Sequence, residues 1–191
     1  MPILGVIASQ ISGHLFAPSG AYDSIATVTV GSGGTGTVTF TSIPQTYTHL
    51  QIRMVGRTNR ADVNDTARLR YNSDTNSNNY TYHEIMGSGT SASVYGSGAP
   101  ESNQMLVLAG STAAANIFGV GITDILDYTN TNKYKTQRNL GGVDRNGSGS
   151  IVFNSGLWMS TSAISSITLT PASGTLFNQY SQFALYGIKG A

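Results

Sequence analysis

The sequence predicts an all-β fold: an antiparallel, jelly-roll-like β-sandwich with an extended N-terminal arm. Three observations carry the prediction. Apolar and polar residues alternate at a period of two through most of the chain. Thr, Tyr, Ser, Asn and 23 glycines stand where charged residues usually would. Turn-forming residues punctuate roughly ten short apolar runs, the spacing of a sandwich or barrel. A chain of 191 residues is long enough for one such domain with a sizeable core. The expected division is an anchoring arm over 1–22 and a sandwich over 23–191.

The elements follow in order. Ala26, Val28 and Val30 alternate with Thr27 and Thr29, and Val38 and Phe40 alternate with Thr39 after Gly31-Ser-Gly-Gly34, which predicts a hairpin. His49 to Thr58 places Leu50, Ile52 and Met54 inward against Gln51 and Arg53. Ala67, Leu69 and Tyr71 alternate with Arg68 and Arg70, and Tyr80, Tyr82 and Met86 share a face with Glu84. Met105 to Ala109 and much of Ile117 to Leu126 are apolar at both parities, as in strands covered on both faces. Tyr134 to Leu140, Ser150 to Phe153, Gly156 to Met159, Ile164 to Thr170 and Gln182 to Ile188 complete the set. Only Ser111 to Asn116 and Thr175 to Ser181 offer single helical turns. Gly87 to Pro100 reads as a long Gly/Ser loop.

Charged residues are 10% of the chain and the formal net charge is +1. So weak a field does not steer a protein to a polyanion, so nucleic acid is not an expected partner. Cysteine is absent, which removes disulfides and thiol nucleophiles. The apolar start from Met1 to Ile7 contains Pro2 and lacks a basic leader, so it is not read as a signal peptide. No stretch reaches the ~20 apolar residues of a membrane span, so membrane insertion is not expected. Ile3, Leu4, Val6 and Ile7 are instead expected to anchor the chain on a neighbouring subunit, because exposed apolar segments seek partner surfaces.

No constellation points to chemistry. His14, His49 and His83 lack metal-ligand spacing. Asp124 and Asp127, three apart in a strand, face opposite ways and cannot act as an acid–base pair; Asp127 is expected to open a turn. Asp144 to Ser150 and Asn72 to Asn79 have oxygen-bearing side chains but lack the acidic residue that closes a calcium loop, and Asn146-Gly147 reads as a hairpin turn. Gly31 to Gly36 lacks the lysine and helix of a phosphate loop. No Gly-x-Ser-x-Gly elbow is present. The expectation is therefore no catalytic residue, no metal and no cofactor. Arg53 and Arg57 share one strand face and Arg68 and Arg70 another. Were those strands paired, they would form a basic patch for an acidic subunit or an anionic glycan. Tyr95 and Tyr128 read as exposed loop tyrosines suited to glycan or host contact, and Trp158 reads as core.

Three stretches carry a resemblance. They are Ser24-Ile-Ala-Thr-Val-Thr-Val-Gly-Ser-Gly-Gly34 through Ser42-Ile-Pro-Gln-Thr-Tyr-Thr-His-Leu-Gln-Ile-Arg53; Asp124-Ile-Leu-Asp-Tyr-Thr-Asn-Thr-Asn-Lys-Tyr-Lys-Thr-Gln-Arg138; and Ile164-Ser-Ser-Ile-Thr-Leu-Thr-Pro-Ala-Ser-Gly174 with Phe183-Ala-Leu-Tyr-Gly-Ile-Lys189. Most of the chain after about Tyr22 resembles small structural proteins of tailed bacteriophages, especially those of marine and freshwater bacteria. The resemblance implies a place at the surface of a virion, in a tail fibre or tail tip, with capsid decoration as the alternative. It implies other virion proteins as partners and a homo-oligomer, a trimer being favoured, with a host surface glycan as a further partner. It supplies no active-site residues. A free carbohydrate-binding module and a polysaccharide depolymerase are the readings from other classes. The first would be marked by a secretion signal or fused catalytic domain, the second by a carboxylate pair on one face.

Overall fold

The structure, a computed structural model, describes residues 21–97 and 103–190, with residues 103–106 described by their backbone alone. The expected arm therefore lies outside the described residues, apart from its last two positions. Twelve strands are described: β1 (Tyr22–Thr29), β2 (Val38–Phe40), β3 (His49–Gly56), β4 (Asn64–Tyr71), β5 (Tyr80–Ser88), β6 (Ser91–Ser97), β7 (Asn103–Ala109), β8 (Gly119–Leu126), β9 (Lys135–Asp144), β10 (Gly149–Trp158), β11 (Ile167–Pro171) and β12 (Gln182–Ile188). The one helical element among the described residues is a 3-10 turn, Ser77–Asn79; Ser111 to Asn116 makes turns only.

The strands form two antiparallel sheets that pack together as a β-sandwich. The wide sheet has the order β1-β12-β3-β8-β9-β10-β5-β6 and the narrow one β2-β11-β4-β7. Four nested antiparallel pairs, β1 with β12, β2 with β11, β3 with β8 and β4 with β7, alternate between the sheets, which is the jelly-roll winding. Two excursions enlarge it. β5–β6 leaves after β4, β9–β10 leaves after β8, and all four strands extend the wide sheet beyond β8. The last strand of the narrow sheet, β7, packs over β8, β9 and β10, whereas β6 packs mainly on β5.

The core is the side-chain set that the alternation picks out. Leu50, Ile52 and Met54 of β3 meet Leu69 and Tyr71 of β4, Ile167 and Leu169 of β11, and Phe183 and Leu185 of β12. Each large side chain buried in this way contributes about 1.5–3 kcal/mol. Phe177 and Phe183 stack tilted at 4.7 Å, and Trp158 lies 5.4 Å from Tyr71.

Several expectations need correction. β1 and β2 are not a hairpin: they lie in different sheets. After the Gly31–Gly34 turn, Thr35 exchanges backbone bonds with Phe177 at 3.0 and 2.7 Å, and the chain crosses the core edge. Each strand has one apolar face, and the two faces join a single core cluster from opposite sheets instead of lying side by side. Gly87 to Ser97 is not a loop. Ile85 pairs with Val94 and Ser88 with Ser91, so β5 and β6 form a hairpin around Gly89-Thr90. The two runs expected on either side of Asn154 and Ser155 are one strand, β10. Buried Asn154 keeps the ladder intact because its side chain is bonded, accepting from Asn139 at 2.9 Å and donating to Glu84 at 3.3 Å. β8 is covered on one face only: Val120 is 53% exposed.

Candidate interaction surface

The outer face of the wide sheet carries the feature a polar sandwich surface would lack. Strand register aligns Ile122 of β8, Leu140 of β9, Phe153 of β10, Ile85 of β5 and Val94 of β6 in one row across five strands. Every one of them is exposed, from 40% at Ile122 to 77% at Val94. The next row towards the β9–β10 turn runs Val55, Val120, Gly142, Ile151, Gly87 and Ala92. Gly142 sits low between Val120 and Ile151, and a groove of about 940 Å³ opens there, lined also by Gly121 and Gly141 and walled by Ile122, Leu140 and Ile151 with Arg53 at one end. Gly142 is required by packing: a Cβ would strike the Ser150 carbonyl of β10.

A polar row borders the apolar band on its other side: Asp124, Arg138, Ser155 and His83. Arg53 closes the corner. Its guanidinium lies 5.7 Å from the Tyr22 ring and 5.5 Å from the Tyr186 ring, and its Nε donates to Gln51 at 2.8 Å. Gln51 in turn donates to Asp124 at 2.7 Å. This network explains a departure from the expected pattern. Gln51 does point outward, yet it is 6% exposed because Arg53 and Asp124 close over it.

The other residues singled out by sequence fall apart in space. Arg57 donates to the carbonyls of Ser111, Ala113, Ala114 and Ile117 at 2.7–3.1 Å, so its guanidinium clamps the 111–117 loop. Arg68 and Arg70 are on β4 of the narrow sheet, with Arg53 on β3 of the wide one, so these strands do not pair and the condition for a common basic patch is not met. Tyr95 is 48% exposed on edge strand β6. Tyr128 corrects the expectation of an exposed tyrosine: it is fully buried and its hydroxyl donates to the Pro44 carbonyl. The turn after β8 folds its ring into the core, and burial pushes the phenol pKa up. Ile3, Leu4, Val6, Ile7 and His14 lie outside the described residues.

Asp124 and Asp127 serve separate partners. Asp127 opens the turn, with the Asn130 amide donating to its carbonyl at 3.0 Å. Its carboxylate takes the Lys133 ammonium, whose hydrogen bond holds the carboxyl below its ordinary pKa. His49 Nδ1 accepts from the Asp127 amide at 2.9 Å. Among the described residues no group of three or more His, Cys, Asp or Glu side chains is placed to hold a metal ion.

The apolar rows are hidden in the sequence, because Ile122 and Val120 lie in a run that reads as a doubly covered strand and Val94 in a Gly/Ser stretch that reads as a loop. The available signal was the presence of apolar residues at both parities in β8 and β10. Tyr180 is hidden too: it is 71% exposed with φ +71°, beside a second cleft lined by Asn116, Phe118 and Asn178. Compared with protein-family models and with curated proteins, the chain matches none.

Proposed function

We propose that this chain is a structural subunit of a tailed-bacteriophage virion, a tail-fibre or tail-tip surface component, and not an enzyme. The observation that carries the reading is the apolar band on the outer face of the wide sheet. Eight large apolar side chains in its two rows, each 40–77% exposed, lie contiguously on one face, and a contiguous exposed apolar patch of several hundred Å² on a soluble domain commonly marks an interaction surface. A patch of that size suits a subunit that works inside an assembly. The resemblance over Ser24–Arg53, Asp124–Arg138 and Ile164–Lys189 supplies the kind of assembly. In this reading Ile3, Leu4, Val6 and Ile7 anchor the chain on a neighbouring virion protein, copies associate as a homo-oligomer, and Tyr95 and Arg53 are the residues left open to host or subunit contact.

Immunogold labelling of purified particles with an antibody to the C-terminal segment tests the proposal. Gold on the tail is the expected outcome. Gold on the capsid shell would move the subunit to a decoration role, and particles without gold would overturn the reading. Loss of host polysaccharide on incubation with the purified chain, measured as new reducing ends, would overturn the non-enzyme part.

A further inference from the structure

We infer that the outer face of the wide sheet is the contact between copies of this chain, centred on Ile122, Leu140, Phe153, Ile85 and Val94. The inference rests on the reading of the chain as an assembly subunit and names the surface through which like copies meet.

Area is the first argument. The band's eight large apolar side chains, each 40–77% exposed, span six adjacent strands from β3 to β6 at about 4.8 Å spacing, an extent on the scale of one side of a standard specific interface. Shape is the second. The bulky row lies directly beside the glycine-floored groove between Val120 and Ile151. A ridge and a groove side by side on one face make that face self-complementary, since the ridge of one copy has a groove to enter on the next. Composition is the third. From β8 to β6 neither apolar row contains an ionisable side chain; on β3 the first row ends at Arg53, in register with Ile122, and the bordering row has Asp124 and Arg138. A dry centre within a polar rim is the anatomy of a protein interface. A rim of both signs does not repel its own copy, as a rim of one sign would. Edge strand β6 extends the same face outward and is neutral from Ser91 to Ser97, without the lysine or proline that commonly guards an exposed edge.

The experiment uses the full chain and reads its mass by sedimentation velocity at several concentrations. The wild type is expected to associate, and the triple variant Leu140→Thr, Ile151→Thr, Phe153→Thr to raise the dissociation constant at least about 100-fold. Threonine suits a strand, and emission from Trp158, the one tryptophan, reports whether the variant folds. Thr39→Lys, on the exposed face of β2, is expected to leave association unchanged. Because the chain has no cysteine, Phe153→Cys, a single change that leaves the other four residues of the row in place, supplies a second test. A short bifunctional maleimide is expected to link two Phe153→Cys chains and not two Thr39→Cys chains. A wild type that stays monomeric at about 100 μM, where even a 10 μM interface would be filled, overturns the inference. So does an oligomer unaffected by the triple variant, or one that links through position 39 and not 153. A monomeric chain that is nonetheless labelled on particles would remove this surface and leave the subunit reading standing; an associating chain absent from particles would do the reverse.

Discussion

Trp158 and Asp74 show how one carboxylate can tie a core residue to a loop. Trp158 is 2% exposed, and its Nε1 donates to Asp74 Oδ2 at 2.7 Å. Asn79 donates to the same oxygen at 2.8 Å and the Asn76 amide to the other at 2.9 Å. Burial alone would raise the Asp74 pKa, but these bonds favour the ionised form and together hold it below its ordinary 3.8. A depressed carboxyl pKa gives stability that is full above the unfolded value and is lost as pH falls through the folded one. This part of the stability should therefore be flat from pH 7 to about 4 and fall below that. Asp74→Asn should flatten the acid limb, measured as melting temperature against pH with Trp158 emission as the signal. Asp65 ties two other segments together by hydrogen bonds: 1% exposed, it accepts from Thr58 at 2.8 Å, the Ser173 amide at 3.1 Å and the Gly174 amide at 2.9 Å. Asp65→Ala strands those donors and should cost at least about 1–3 kcal/mol in urea denaturation. Sequence gave no sign of either hub, since Asp65 and Asp74 stand in turn-like surroundings that look solvent-facing.

At the scale of elements, the β9–β10 hairpin contains one part that was readable and one that was not. Asn146-Gly147 announces its turn. Both residues have positive φ, +59° and +91°, and the Arg145 amide donates to the Ser148 carbonyl at 2.8 Å. Gly142 announces nothing, because its need for a missing side chain comes from the β10 backbone at Ser150. Gly142→Ala should force these strands apart and cost about 1–3 kcal/mol, read as a lower urea midpoint at unchanged slope. The same distinction separates the two tyrosines. Tyr95 is on an edge strand whose partners are local, whereas Tyr128 is buried by a turn whose direction only the packed core decides.

For the whole molecule, the jelly-roll winding keeps the first described strand at one edge of the wide sheet, where β1 pairs with β12 alone. Its core contacts come from Ile25, Ala26 and Val28 packing on the main cluster. β1 is held along its whole length by the ladder from Tyr22–Ile188 to Thr29–Gln182, and the Lys189 amide donates to the Ala21 carbonyl at 3.2 Å. Deleting residues 2–20 spares all of these bonds and should leave a folded sandwich, with Trp158 emission and melting temperature close to the full chain. The same deletion should abolish joining to the particle, measured as copies per virion by quantitative mass spectrometry. Normal copy number, or an unfolded product, would refute the anchoring role of Ile3, Leu4, Val6 and Ile7.

By itself the sequence determined the class of the fold and the inward faces of most strands. Leu50, Ile52 and Met54, Ala67, Leu69 and Tyr71, and Val38 and Phe40 are all buried as their alternation requires. A period of two is a local property of an extended chain, so it can be read without knowing any partner. Only the tertiary structure decided which strands neighbour which, that β1 and β2 part to opposite sheets, and that β5–β6 and β9–β10 widen one sheet beyond the other. Those choices depend on contacts between residues far apart in sequence, such as Thr35 with Phe177 and Ile85 with Phe153. They also decide exposure. Ile122 and Leu140 lie outside because the narrow sheet covers only the inner face, and a strand's sequence does not record whether its second face will be covered.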